Sequence, residues 1–405
     1  VDAAYRAAVT EAIVPAFTKE PALRARFAFV WDRFARGGKV EIGAVITLPE
    51  QARVLRAIAE RGVEGFREGP VADAMLAAIA RDGGHLTRAD LASFRVETLK
   101  PLETGWMGMR VVTMPPPSSG GIVLAQVLAT LAARPENLAE LGRESPAYIH
   151  LVTEACKHAF ADRARWLGDP GFTALPMDRL LDPAMLRARA GLIDPRRTLD
   201  PEGYGWTGPQ LPKDGGTSHL SVVDGRGNAV ACTETINLEF GSWLDGGGFC
   251  LNNQMDDFLT RRGKANSFGL SQSEANLPEP GKRPLSSMSP TILLTDGASG
   301  PQVRMVVGAS GGPRIISGSL QAILNRTVFK LEAGAAVSAW RFHHQWKPNE
   351  LSLESGAGES TGLSRNLSDL GHSTTIKPAG WGVGAVQVMV RGEGGVLEAA
   401  CDPRK

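Results

Sequence analysis

Long hydrophobic runs are missing. Nothing in the sequence approaches the ~18 consecutive apolar residues that a membrane-spanning helix requires, and no basic-then-apolar segment opens the chain. It starts at Val1-Asp2 without a methionine, so the compartment is not legible there. An excess of charge is missing too: Lys and Arg number 44 against 43 Asp and Glu, a formal charge of +1 with no basic run, which speaks against a nucleic-acid partner. Cysteine is scarce. Cys156, Cys232, Cys250 and Cys401 form no CxxC pair and no regular spacing, which argues against a zinc site or a disulfide framework and leaves them as mostly buried small hydrophobes. What remains is globular composition, 405 residues of which 43% are hydrophobic and 21% charged, enough for a large core or two.

The first half reads helical. Thr47-Leu48-Pro49-Glu50 has the form of a capping box opening a helix with Val54, Leu55, Ile58 and Ala59 on one face and Gly62 at its end. Thr87 to Asp90 opens another in the same way. Ser145-Pro146 supplies an N-cap and a first-turn proline for a helix through about Arg163, with Ile149, Val152, Cys156 and Phe160 as its buried stripe. Pro115-Pro116-Pro117-Ser118-Ser119-Gly120-Gly121 punctuates the stretch before it. Glycine is abundant in the chain, at 47 residues, and frequent between 205 and 320, where tight turns and close backbone approaches are expected. From Thr217 the period changes to two, with Asp224-Gly225-Arg226-Gly227-Asn228 as the turn of a β-hairpin. Farther on, Val303 to Val307 reads as a buried strand, Gly308 to Gly312 as a tight turn and Arg314 to Val328 as an amphipathic helix. Helices followed by strands, with no internal repeat, point to a layered α+β arrangement.

The hairpin carries a geometric expectation. With the turn centred on Arg226, Thr235 faces Thr217 and Thr233 faces His219. A threonine after Asp214-Gly215-Gly216 can also be an ordinary strand residue following a glycine loop. The larger pattern decides. Gly216-Thr217-Ser218-His219, Gly227-Asn228-Ala229-Val230 and Thr233-Glu234-Thr235-Ile236-Asn237 closely resemble the maturation site of the γ-glutamyltransferase family. Leu251 to Phe258, Lys282 to Pro290 and Arg341-Phe342-His343-His344-Gln345-Trp346 follow in the family's order. Upstream, Pro115 to Gly121, Ala161-Asp162-Arg163 and Leu167-Gly168-Asp169-Pro170 do so as well, and the likeness covers nearly the whole chain.

The resemblance implies a four-layer α-β-β-α sandwich of the N-terminal-nucleophile hydrolases. It implies autocatalytic cleavage between Gly216 and Thr217 into portions 1–216 and 217–405 that stay associated. The freed α-amino group of Thr217, with a pKa of roughly 7.7–8.0, then serves as general base for the same residue's hydroxyl. Thr235 orients that hydroxyl, in keeping with the hairpin register. For a γ-glutamyl donor, Asp257 with the side-chain oxygens of Asn237 and Gln254 takes the α-ammonium, and Ser286 and Ser287 donate to the α-carboxylate. The N–H groups of Gly311 and Gly312, at a helix start, receive the developing oxyanion. Taken alone, Ser286-Ser287 reads equally as a serine-rich turn, Asp257 as a surface acid, and Gly311-Gly312 as a turn chosen for close packing. The implied reaction passes a γ-glutamyl group from glutathione or a related amide to water, an amino acid or a dipeptide, with neither metal nor organic cofactor. The family's compartment is periplasmic or secreted. Its upstream arginine, which grips the donor carboxylate within an Arg-Glu motif, is expected to lie before Val1. Phe66-Arg67-Glu68-Gly69-Pro70 has the letters in different surroundings and does not inherit the role.

Rival readings are a cephalosporin (glutaryl) acylase of the same fold and a truncated, inactive homologue. A third is a serine α/β-hydrolase, since Gly308-Ala309-Ser310-Gly311-Gly312 satisfies G-x-S-x-G with Asp369 and His372 following in order. Glu154, His158 and Asp162 share one helical face, where a solvated face with charge pairs is expected rather than a metal site. His343-His344 is expected to be a packed pair.

Overall fold

The computed structural model describes residues 1–204, 217–259, 273–297, 300–356, 362–378 and 384–404. They form two compact units, Val1–Thr98 with Ile236–Gln254, and Leu99–Thr235 with Met255–Lys405. This division follows packing. It does not bear on the expected portions 1–216 and 217–405, which would arise by cleavage.

The first unit is helical, and its helices pack around the segment Ile236–Gln254. Val9, Ile13, Phe17 and Val30 form one cluster against Phe240 and Trp243, with Phe17 and Trp31 stacked at 5.2 Å. Val54, Val71, Ala72 and Met75 form another against Phe249 and Leu251. The helix Pro49–Arg61 starts one residue away from the expected capping box: Leu48 is its N-cap, and Thr47 does not cap it. A proline fits the first helical position because it needs no amide partner there, so Pro49 sets the start without a side-chain cap. Of the expected apolar face, Val54 is buried but Leu55 and Ile58 are exposed. The capping box of Thr87 with Asp90 forms as expected.

The second unit holds every strand among the described residues: β1 (Leu102–Trp106), β2 (Met109–Thr113), β3 (Thr217–Val223), β4 (Ala229–Thr235), β5 (Thr291–Gly297), β6 (Gly300–Ser310), β7 (Phe342–His343), β8 (Leu351–Glu354), β9 (Thr374–Lys377), β10 (Ala385–Arg391) and β11 (Leu397–Cys401). A six-stranded antiparallel sheet has the order β1-β2-β5-β6-β10-β11, beside the β3-β4 hairpin and a three-stranded β7-β8-β9 sheet. Successive residues of a strand point to opposite faces. In β6, Val306, Val307 and Ala309 are all fully buried, so both faces must be covered. The helix Arg314–Thr327 covers β6 from one side, the helix Gly120–Ala132 packs beside it and on β1 with Pro146–Trp166 against it, and the hairpin covers β6 from the other. This unit therefore shows three layers of the expected sandwich: helices, sheet and hairpin.

Several expectations change here. The helix capped by Ser145 extends to Trp166, and its stripe of Ile149, Val152, Cys156 and Phe160 is buried. Its presumed solvated face is buried too, with Glu154 fully enclosed and His158 6% exposed. Glu154 accepts from Lys157 Nζ at 3.0 Å, Thr198 Oγ1 at 2.6 Å and the Tyr204 hydroxyl at 2.5 Å, which is what permits an interior acid. The α/β-hydrolase reading fails. Ser310 ends a strand of an antiparallel sheet rather than a parallel one, Asp369 is exposed, and both ring nitrogens of His372 face other partners, His150 and Lys157. Of the cysteines only Cys156 is buried, whereas Cys401 is exposed and the other two are half-buried.

Candidate active site

The hairpin register is the one the turn dictates. Asp224 Oδ1 accepts from the backbone N–H groups of Arg226 and Asn228, closing the turn. Thr217 then pairs with Thr235 and His219 with Thr233. Thr217 is 5% exposed and its hydroxyl donates to Thr235 Oγ1 at 3.1 Å. On the same face His219 bonds Thr233 Oγ1 through Nδ1 at 2.7 Å and Ser221 Oγ through Nε2 at 3.1 Å. Burial pushes its pKa down to about 4, so the ring is neutral near pH 7. Gly308 of β6 makes room for that ring, because a Cβ there would lie 2.2 Å from His219 Nδ1. The contact thus fixes the strand bearing Thr217 two residues from one end and the Gly311-Gly312 turn three residues from the other. The peptide before Thr217, with Asp214, Gly215 and Gly216, lies outside the described residues.

Gly311 and Gly312 have φ of 124° and 54° and hand β6 over to the helix Arg314–Thr327. Their carbonyls accept from the N–H groups of Arg314 and Ile315, the first bonds of the helix. A Cβ on Gly311 would meet Gly384 Cα at 2.8 Å, so both the angle and the space require glycine there.

Ser286 and Ser287 sit on a segment clamped to the turn before the helix Gly120–Ala132. The Ser286 carbonyl accepts from Ser119 N at 2.8 Å and Ser119 Oγ at 2.6 Å, and Ser118 Oγ donates to Met288 O. Asp257 is buried at 8% exposure. Its carbonyl accepts from Asn276 Nδ2 at 2.7 Å, and Asn276 Oδ1 accepts from Leu285 N at 3.0 Å, so one buried amide holds the acid and the serines in a common frame. Asn237 and Gln254 belong to the other unit. There Asn237, at φ 76° and fully enclosed, donates to Asn253 O at 3.1 Å, and Asn252 Oδ1 accepts from Gln254 N at 3.0 Å.

Two groups escaped the sequence reading. Arg163, inside the Ala161-Asp162-Arg163 block, is a wholly buried guanidinium between Ser119 and Ser287. His150 and His372, 222 positions apart, meet at 2.7 Å, and together with Glu154 they offer three metal-ligand atoms within 4.8 Å of one another. A metal does not suit this cluster, since Lys157 Nζ already stands 3.0 Å from Glu154 and 3.4 Å from His372 Nδ1. Burial and that ammonium hold the His372 ring down at a pKa of about 2. His343 and His344 are both buried, as a packed pair should be.

The layered antiparallel architecture is that of the N-terminal-nucleophile hydrolases. A crystal structure of a cephalosporin acylase from Bacillus halodurans superposes with a TM-score of 0.80 at 24% identity, covering 100% of this chain and 70% of that one. Residues 1–405 match the family model for gamma-glutamyltranspeptidase, and the chain belongs to that family. It is 40% identical over 370 residues to the glutathione hydrolase proenzyme of Pseudomonas aeruginosa, covering 91% of this chain and 64% of that protein. It is 32% identical over 370 residues to the acylase ACY 1 proenzyme of a Pseudomonas species, covering 90% and 62% respectively. The chain thus spans about three fifths of the length of the curated relatives it matches. No described helix is long and apolar enough to cross a membrane.

Proposed function

We propose that the protein transfers or hydrolyses γ-glutamyl groups of glutathione-like amides through an ester on Thr217, formed after the chain cuts itself between Gly216 and Thr217. The hydroxyl pair of buried Thr217 and half-buried Thr235, at the start of the hairpin, carries this reading. In maturation, Thr217 Oγ attacks the Gly216 carbonyl, the C–N bond breaks in favour of a C–O bond, and water hydrolyses the ester to leave a free Thr217 amine. Two portions, 1–216 and 217–405, remain associated.

In turnover that amine takes the hydroxyl proton as Oγ attacks the donor's γ-carbonyl, and the proton passes to the departing amine. Thr235 orients the nucleophile. The N–H groups of Gly311 and Gly312 stabilise the oxyanion. Asp257, Asn237 and Gln254 receive the α-ammonium, and Ser286 and Ser287 the α-carboxylate. Water, an amino acid or a dipeptide then takes the acyl group, and no step calls for a metal or organic cofactor.

The likeness to an acylase makes a glutaryl donor the reading to beat. Asp257 favours the γ-glutamyl one. An acid that meets an ammonium on one donor and none on the other should make glutaryl donors poorer by about tenfold or more. The test measures kcat/KM for γ-glutamyl and glutaryl anilides, with a denaturing gel of the wild type and Thr217→Ala. The wild type should run as two chains and prefer the γ-glutamyl donor, and the variant should stay as one chain of 43.0 kDa. Equal kcat/KM values would make the acylase reading the better one, and an uncut wild type without turnover would favour an inactive homologue.

A further inference from the structure

Arg163 is 1% exposed near the end of the helix Pro146–Trp166, and its three nitrogens face different fates. Nε donates to Ser119 Oγ at 2.9 Å, Nη2 reaches Ser287 Oγ at 3.5 Å, and Nη1 is buried with no hydrogen-bond partner. Burying a guanidinium is costly unless it is paired, and an unsatisfied nitrogen adds to the cost. Burial brings its pKa down to about 10 while Asp257 pulls it back up, so the group remains a cation near pH 7 and feels the acid assigned to the donor ammonium.

The direction of each bond follows from one fact: arginine only donates. Ser119 Oγ must accept from Nε, so its own proton points elsewhere, and it is given to the Ser286 carbonyl at 2.6 Å. Ser287 Oγ must accept from Nη2 in the same way, which turns its proton away from Arg163. One buried fork thereby fixes the segment carrying Ser286 and presents the Ser287 hydroxyl as a donor. An anion beside Ser287 would meet that O–H and the field of a cation with an unused nitrogen.

Resting on the γ-glutamyl reading above, we infer that Arg163 is the positioning residue for the donor's α-carboxylate: it sets the Ser287 hydroxyl as a donor and supplies positive charge behind it. The residue acts through Ser287, so its loss should be felt by donors that carry the carboxylate and hardly by those that lack it. Lysine keeps the charge but cannot span Ser119 and Ser287 at once.

The test compares a γ-glutamyl anilide with a 4-aminobutyryl anilide, identical but for the missing α-carboxylate, on the wild type, Arg163→Lys, Ser287→Ala and the double variant. Arg163→Lys should raise KM for the γ-glutamyl donor on the order of tenfold, leave kcat nearly unchanged and barely alter the 4-aminobutyryl donor. The double variant should be no worse than Ser287→Ala. Equal losses on both donors, or losses that multiply in the double variant, would show that Arg163 only holds the fold together. Should Arg163→Lys fail to accumulate, Ser119→Ala frees Nε and poses the same question, and a donor-independent effect or none overturns the inference. A wild type that does not turn over the γ-glutamyl anilide removes the functional reading and this inference with it. A wild type that does, paired with a donor-independent loss in the variant, removes the inference alone.

Discussion

Gly308→Ala tests whether the His219 contact fixes the strand that begins at Thr217. An added methyl would lie 2.2, 2.3 and 2.7 Å from Nδ1, Cε1 and Cγ of the His219 ring. The ring cannot simply swing aside, because Nδ1 and Nε2 are bonded to Thr233 and Ser221 at 2.7 and 3.1 Å. Losing two neutral hydrogen bonds costs roughly 1–3 kcal/mol together. Overpacking a strand face adds about 1–3 kcal/mol. A total of about 2–6 kcal/mol is a large share of the ~5–15 kcal/mol that holds a domain folded. Urea unfolding gives the stability, and a denaturing gel gives the fraction cut after Gly216, which should fall as the hairpin shifts. His219→Ala removes the obstacle, so in the double variant the Gly308→Ala penalty should shrink by about 1–3 kcal/mol. Gly225→Ala, in the exposed hairpin turn with nothing near its Cβ, should stay within about 0.5 kcal/mol of wild type. A Gly308→Ala protein as stable as wild type, or additive losses in the double variant, would refute the reasoning.

Further outcomes follow from buried titratable groups. Arg341 and Asp402 form a pair at 2.6 Å with both side chains fully enclosed, and Asp402→Ala, which strands the guanidinium, should cost about 3–5 kcal/mol in urea unfolding. Burial works against the Asp402 carboxylate, but Arg341, the Val386 N–H and Arg404 outweigh it and hold its pKa below the ordinary value, so its contribution should be present above about pH 4 and lost on acidification below that. His158 and His219 at about 4 and His343 at about 3 are kept neutral chiefly by burial, so the unfolded chain binds protons that the folded chain refuses. Urea midpoints should therefore fall as the pH drops from about 6.5 toward 4, and a flat profile over that window would contradict neutral buried rings.

The hairpin was legible because everything that fixes it is local. Asp224-Gly225-Arg226-Gly227-Asn228 closes the turn, period two sets the faces, and counting outward brings Thr217 to Thr235. The strand Gly300–Ser310 and the glycine turn after it were legible for the same reason, although the strand ran longer on both sides than its apolar centre. The helix Pro146–Trp166 was misread on one face because amphipathic reasoning sends charges to water. Here Glu154 is instead satisfied by Thr198 and Tyr204, 44 and 50 positions away, and His150 by His372. No window of sequence contains those partners. The cap expected at Thr47 is absent for a smaller reason: a proline at the first helical position can start a helix without the side chain the capping pattern demands.

The same distinction governs the candidate site. Residue types at Ser286, Ser287 and Asp257 suggest what each could bind, yet a hydroxyl both donates and accepts, so its letter leaves its polarity open. Polarity is set by the neighbour that has no choice. Arg163 comes from a helix 124 positions before Ser287, and Asn276 ties the Asp257 carbonyl, 19 positions before it, to Leu285, 9 positions after it. Both are buried polar groups in a protein whose interior could have been apolar at those points, and an interior charge with an unsatisfied nitrogen is a cost that packing alone gives no reason to keep. A charged ligand beside Ser287 would give such a reason, because its carboxylate would meet a positive field that Asp257 offsets only in part.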